Sequence, residues 1–524
     1  TAQDWVTAME WILNFEKNGS TNTSMLKAMV EGAEEYYNYT KNLAETNPGA
    51  ALALSTENNP EFDKVGIEAP DDYTLHYTCI DQYPYFDTLC TSAAMYSVSQ
   101  AEIDEKGVEN MIGMSNENAW YNGAYTITSY IMNNEKVLTR NPAYWDKDCT
   151  LFDTVTIIMI DDANRDDQLF DTGEVDHCSL SENGLKTILD NPSDSRNQEL
   201  TETRFRKYSF QYLINYAKNN EDGTPDVNWN TAIANENFRK SLYYGVNLEN
   251  TWARVNPTNP MKLENLCFTM KGFLYFSDGT DYTDRVIEKL DNIRPYDGEP
   301  ARRFNEQLGL EYRDKAIEEL TAKGVTFPVG IDYYIKAGSA TALDAATVLK
   351  ENFERTLGSD YVSFNIKEYI SSLGQEVRAP RLHSFTGTGW GADYGDVENF
   401  LEQTIYGYDG ADFSMNYTNI NDITDPDCIA LFEEFTRMVQ DAQTITDDMD
   451  ARYEAFADAE AFLLNHALTI PSNYENSWQL TKINDYSKMY ALYGCQNNTY
   501  KNWETSTVPY TAEDYARFEA EFNS

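Results

Sequence analysis

The acids are the residues of this chain best able to do chemistry, and Asp393 and Asp396 can be drawn as the two carboxylates of a glycosidase. With 86 Asp and Glu among 524 residues such pairs arise by chance, and closeness in sequence does not set the carboxylate separation that hydrolysis needs. A carboxylate-dependent hydrolase therefore stands as the third of three readings. The four histidines, His76, His177, His383 and His466, share no H-E-x-x-H spacing that would put two ligands on one helix face, so neither metal nor cofactor is expected. His466, among Leu463, Leu464 and Leu468 near a helix end, reads as packed or as facing the helix dipole. The sequence has no G-x-S-x-G, no P-loop and no G-x-G-x-x-G opening a helix. Together these features point to a protein that binds rather than catalyses.

The elements that must position such residues are of mixed kind. Thr1-Ala-Gln-Asp4 reads as a capping box ahead of Trp5, Val6, Met9 and Ile12, which share a helix face, so the chain is expected to begin inside a domain. Residues 24–44 read as a helix, and 73–79 alternate as a strand after the turn signal Asp71-Asp72. Strands are expected at 124–127, 137–139 and 155–159. Residues 205–215 place Tyr208, Phe210, Tyr212 and Ile214 on one face of a half-buried strand. Helical spacing returns at 238–246, and the Gly, Asn and Pro of 258–300 read as long surface loops. Helix 312–323 stops at Gly324. Strand 331–336, helix 341–357 and strand 362–369 then give a β-α-β unit with a right-handed crossover. Helices 437–442 and 449–467 follow, the second with Tyr453, Phe456, Ala459, Leu463 and Ala467 on one stripe. The fold class expected is α/β.

A chain of 524 residues exceeds what one hydrophobic core fills, so two or three lobes are expected. Its 41% hydrophobic and 13% aromatic content fits a folded protein, not a disordered one. A net charge of −46 repels phosphate backbones and excludes nucleic acid as a partner. The same field favours cationic solutes, although solubility alone accounts for it equally well. Seven cysteines without C-x-x-C spacing form no disulfide framework. Cys79 and Cys90 could bridge a hairpin, but read instead as small apolar residues. No run of about 18 apolar residues spans a bilayer, and the first residues do not read as a signal peptide. A signal or anchor is expected outside this sequence.

Several segments, in order, resemble the peptide-binding receptors of ATP-driven importers, the oligopeptide- and dipeptide-binding family. They are Thr1-Ala-Gln-Asp-Trp-Val, Gly66-Ile-Glu-Ala-Pro-Asp-Asp-Tyr-Thr-Leu, Tyr83-Pro-Tyr-Phe-Asp-Thr-Leu, Asn122-Gly-Ala-Tyr, Leu138-Thr-Arg-Asn-Pro-Ala-Tyr-Trp and Phe170-Asp-Thr-Gly-Glu-Val-Asp. Asn237-Phe-Arg-Lys-Ser-Leu-Tyr and Gly389-Trp-Gly-Ala-Asp-Tyr-Gly-Asp, followed by Asn399-Phe-Leu, continue the series, and Ile470-Pro471 ends it. Gly245-Val246-Asn247 departs from the family's Ala-Ile-Asp, and Val397 stands where the family has proline.

The resemblance implies a two-lobed fold of the periplasmic-binding-protein kind, with an accessory domain and a ligand cleft between lobes that close about a hinge. Its implied limits are 1–119 for the accessory domain, 120–213 with 478–524 for the first lobe, and 214–477 for the second. The chain crosses between lobes near Ile214 and Ser477. About a hundred residues that precede this segment in the family are expected to lie outside the sequence.

In the family, the acid of the Trp-x-x-Asp segment meets the ligand's free amino group, and here that acid is Asp393. A carboxylate suits the task because an enclosed ammonium needs both an opposite charge and acceptors. Gly387, Thr388, Gly389 and Trp390 would offer backbone to an extended ligand, Trp390 would supply an apolar wall, and Gly389 and Gly391 would allow close approach. Where some members carry an Arg three residues before the Trp this chain has Gly387, which leaves Arg381 and His383 as candidates for a ligand carboxylate.

The expected protein is a monomeric extracytoplasmic receptor, a cell-surface lipoprotein or periplasmic, that delivers a peptide to the permease of an ABC transporter. The second reading is the same fold holding an oligosaccharide or another small solute, for which the 37 Tyr and 9 Trp leave room to stack.

Overall fold

The computed structural model describes residues 1–18, 23–112, 114–160, 165–204, 208–295, 300–408, 410–488, 493–494 and 499–524. The chain divides into two units, residues 1–204 with 479–524, and residues 205–478. Cys495 lies outside the described residues.

In the first unit, helices Gln3–Leu13 and Ala33–Thr46 bury Val6, Met9, Leu13 and Tyr36 against Phe62, Val65 and Ile67. The capping box expected at Thr1 does not form. Ala2 holds the cap position, and the Thr1 hydroxyl faces the Asp4 carboxylate instead of a backbone N–H. A capping box does form between Thr511 and Asp514, ahead of Ala512–Phe522. The helix expected over 24–44 is two, Ser24–Met29 and Ala33–Thr46. Val30 leaves it to bridge Cys79, and Gly32 turns at φ 70°, where a Cβ would fall 2.3 Å from the Lys64 carbonyl oxygen.

Asp71 accepts from the Tyr73 N–H and the Thr74 hydroxyl, closing the hairpin of Ile67–Asp71 and Thr74–Tyr77. Cys79 and Cys90 are both free thiols. Tyr125–Ile131, Glu135–Arg140 and Thr154–Ile158 form an antiparallel sheet. His177–Ser179, Trp478–Thr481 and Thr201–Glu202 form a smaller one, with Trp478–Thr481 in the middle.

The second unit is built on strands β1 (Ser209–Ile214), β2 (Val329–Lys336), β3 (Val362–Tyr369), β4 (Phe385–Trp390) and β5 (Ile470–Tyr474). Its main helices are α1 (Glu236–Gly245), α2 (Glu306–Ala322), α3 (Ala340–Leu357), α4 (Pro426–Gln443) and α5 (Met449–Asn465). The β2-α3-β3 succession yields a parallel pair with Val362 opposite Val329 and Tyr369 opposite Lys336. Ser339 caps α3 by accepting from the Ala342 N–H, and Gly358 ends it at φ 90°. A second sheet runs in the order β4-β1-β5, with both outer strands antiparallel to β1.

The half-buried strand expected at 205–215 is Ser209–Ile214, which lies between β4 and β5 in its sheet and is buried on both faces from Gln211 on. Gln211, on the face opposite Tyr212, is buried and donates to the Ser209 hydroxyl and to the carbonyls of Cys267 and Phe268.

The described part of the stretch 258–300 is likewise no long surface loop. Cys267, Phe268 and Met270 are buried, and Tyr282–Lys289 is helical. Backbone can go inside here because the Glu460 carboxylate accepts from the N–H groups of Phe268 and Thr269 and from the hydroxyls of Thr269 and Tyr282.

Helix α2 starts six residues before its expected position, capped by Asn305, and α4 starts at Pro426 behind the cap Asp425. Gly245, one of the departures from the family pattern, allows α1 and α2 to touch. A Cβ on Gly309 would lie 2.5 Å from the Gly245 Cα. Rings of Trp229, Phe238, Phe353 and Phe385 meet edge-on or tilted at centroid distances of 5.5–6.4 Å and fix the start of β4 in the core.

Candidate functional site

Phe385 and Thr386 anchor β4 inside the unit, whereas Gly387 is exposed and Thr388, Gly389 and Trp390 are half-buried. Among the described residues β4 pairs with β1 alone, so it is an edge strand. Asn215 donates its N–H to the Ser384 carbonyl at 3.0 Å, which sets the phase of the antiparallel alternation. Thr386, Thr388 and Trp390 turn their backbone groups to β1. Gly387 and Gly389 turn theirs to the open side.

The strand ends in a loop held by one side chain. Asn399 Oδ1 accepts from Trp390 Nε1 at 2.9 Å and from the Asp393 N–H at 2.8 Å. The Trp390 ring packs edge-on against Phe413, at 5.6 Å between centroids, so its outer part alone is available as a wall. Gly391 is half-buried and Ala392 buried, and Asp393 then brings its side chain to the surface. Thr388 shares a face with Trp390 and pairs with Gln211.

Asp396 is elsewhere. Its carboxylate is fully buried and takes two hydrogen bonds from Arg452, at 2.9 and 3.0 Å, while Arg452 also pairs with Glu398 at 2.7 Å. A carboxylate locked to a guanidinium away from solvent can neither deliver a proton nor activate water, so Asp393 and Asp396 do not form a hydrolytic pair.

The two weaker candidates are also engaged. His383 is wholly buried, its Nε2 lies 2.8 Å from the Tyr417 carbonyl, and burial pushes its pKa down to about 4, so it stays neutral. Arg381 has φ 63° and an ion pair with Asp422 at 2.7 Å, and its carbonyl accepts from Asn219 and Asn215. Neither joins β4 and Asp393. Among the described residues no cluster of His, Cys, Asp and Glu suits a metal ion, and no helix is long and apolar enough to cross a membrane.

Glu402 belongs to the same neighbourhood. Burial, then the charge of Glu398, pushes its pKa up to about 8, although the Tyr394 hydroxyl donates to it at 3.2 Å. At neutral pH it is therefore protonated, and Asp393 gains no second charge from it. An acid whose pKa is higher in the fold than in the unfolded chain keeps its proton longer when folded, so stability falls as pH rises from about 4.5 to about 8. Glu402→Gln is expected to flatten that slope. The variant should melt with the parent at about pH 5 and above it at about pH 9, whereas parallel melting curves would remove Glu402 as the cause.

A sequence profile of the bacterial extracellular solute-binding proteins, family 5 (middle region), matches residues 1–412. The oligopeptide-binding protein AliA of Streptococcus pneumoniae is 23% identical over 498 residues, covering 87% of this chain and 73% of its own. The oligopeptide-binding protein SarA of Streptococcus gordonii is 22% identical over 565 residues, covering all of this chain and 79% of its own. The structure of Listeria monocytogenes OppA bound to peptide superposes with a TM-score of 0.63 at 17% identity, over 97% of this chain and 84% of that one. This likeness is one of fold, the mixed α/β architecture of OppA-type binding proteins. By the profile match over residues 1–412, the chain belongs to the bacterial extracellular solute-binding proteins of family 5, which bind solutes and do not transform them.

Proposed function

We infer that the protein is a receptor for peptides with a free amino terminus, which it hands to the permease of an ABC importer. The observation that carries this reading is the open edge of β4, running through Gly387 and Gly389 and leading directly to Asp393. An extended peptide added along that edge exchanges backbone hydrogen bonds with the two glycines, a mode that accepts many sequences. In this reading Asp393, exposed just past the strand end, receives the ammonium group. The names of AliA and SarA support peptide as the ligand class. A monomer at the outer face of the cell membrane, held there by a lipid anchor or free in a periplasm, fits this role.

Titration of the whole chain with a pool of short peptides and a pool of oligosaccharides, read by mass spectrometry of the retained ligands, tests the reading. Peptides should be retained without cleavage. Retention of glycans alone would replace peptide by sugar, and released fragments would make the protein an enzyme.

A further inference from the structure

Along β4 the residues facing one side of the sheet are Phe385, Gly387 and Gly389, and their cross-strand partners on β1 are Ile214, Tyr212 and Phe210. A Cβ on Gly389 would fall 2.8 Å from Cδ1 and 2.9 Å from Cε1 of Phe210. The Phe210 ring thus lies across the glycine rather than beside it. A Cβ on Gly387 would lie 3.5 Å from the Tyr212 ring and 3.6 Å from the Tyr333 hydroxyl oxygen, an ordinary contact that a side chain there would make with both. Phe210 and Tyr333 are half-buried, so each keeps open surface.

Directly opposite residues on neighbouring strands point to the same face, about 5 Å apart. A ligand strand on the open side of β4 therefore aims the side chain opposite Gly389 across a strand that has none, towards the Phe210 ring. An aromatic ring laid over a strand glycine covers it much as a missing side chain would, and offers its edge to the next strand. The next ligand side chain on that face, two residues along, is aimed over Gly387 at Tyr212 and Tyr333.

We propose that Phe210, and Tyr212 with Tyr333, form two side-chain seats that select peptides with bulky apolar or aromatic residues at two positions separated by one residue. This selectivity rests on the reading of β4 as the peptide-binding strand. Because Asp393 follows the C-terminal end of β4, a peptide whose amino group it meets runs antiparallel to β4. The Phe210 seat then takes the residue nearer the amino end.

The test is a set of amino-free peptides of one length in which Phe replaces Ser at each position in turn, titrated into the whole chain. Preference for Phe, roughly threefold to tenfold, is expected at two positions two apart. Phe210→Ala should erase the one nearer the amino end, Tyr333→Ala should weaken the other, and Phe210→Leu should keep most of the first. A ratio of two affinities measured on one preparation is insensitive to an unfolded fraction, so a poorly folding variant still reports. Uniform affinities, preferences at adjacent positions, the reverse order, or a preference that survives Phe210→Ala would overturn the seats while leaving peptide binding intact. If no amino-free peptide binds, the peptide reading fails and the seats fail with it.

Discussion

Replacing Asp393 with Asn is expected to weaken binding of an amino-free peptide by about 2–4 kcal/mol, roughly thirtyfold to a thousandfold, and to leave the N-acetylated form of that peptide almost unchanged. The substitution keeps shape and removes charge. It also keeps the Asp393 backbone N–H that Asn399 Oδ1 holds at 2.8 Å. The size of the effect distinguishes two situations. An ammonium that stays in water gains at most about 1 kcal/mol from a carboxylate, whereas one taken out of water beside it loses several when the charge is removed. Calorimetric titration of the two peptide forms into both proteins gives the coupling directly. If the variant distinguishes free from acetylated peptide as strongly as the parent does, the amino group is met by another residue.

Much of the second unit was legible because its signals are local. Strand 362–369 was placed to the residue, and helix 341–357 to within one, since a serine cap, an apolar stripe and a glycine stop all lie within the element. The centrality of β1 was hidden. A central and an edge strand can carry the same alternating aromatics, and the buried Gln211 depends on the carbonyls of Cys267 and Phe268, which come from a remote segment. The burial of residues 263–270 was hidden for a similar reason. Gly, Asn and Pro signal turns, but whether turns lie outside depends on a partner such as Glu460, almost two hundred residues further on.

The site divides the same way. Asp393 and the glycine strand stood out through ordered family segments, while from composition alone Asp393 is one acid among 86. Asn399 belongs to the family segment Asn399-Phe-Leu, but its grip on Trp390 and Asp393 exists only once the loop has turned back. Arg452 and Glu460 did leave a trace. They fall at four-residue spacings from Phe456, on the apolar side of the stripe that runs through Ala459 and Leu463, and a charge on such a face signals a buried partner.

That trace leads to the largest expected effect on stability. Arg452→Met should cost about 3–5 kcal/mol, because it leaves the Asp396 carboxylate, 0% exposed, and Glu398, 11% exposed, without their cation. It should lower the melting temperature by roughly 10 °C. The guanidinium also donates to the carbonyls of Gln443 and Ile445, at 2.9 and 3.1 Å, and so ties the end of α4 to the loop that follows Asp393. Burial already pushes the Asp396 carboxyl above its ordinary value while Arg452 pulls the other way, so losing the arginine raises it further. An acid raised in the fold costs stability as pH increases, and the loss should therefore shrink as pH falls and the carboxyl takes up its proton. Adding Asp396→Asn to Arg452→Met should recover part of the lost stability at neutral pH. A single variant that melts with the parent at every pH would show the pair to be dispensable. Asp396 Oδ1 accepts from the Glu398 N–H, and its carbonyl accepts from the N–H of Asn399, the residue that holds both Trp390 and Asp393. Arg452→Met should consequently weaken peptide binding even in the molecules that remain folded, an effect that a remote destabilising substitution of equal size would not produce.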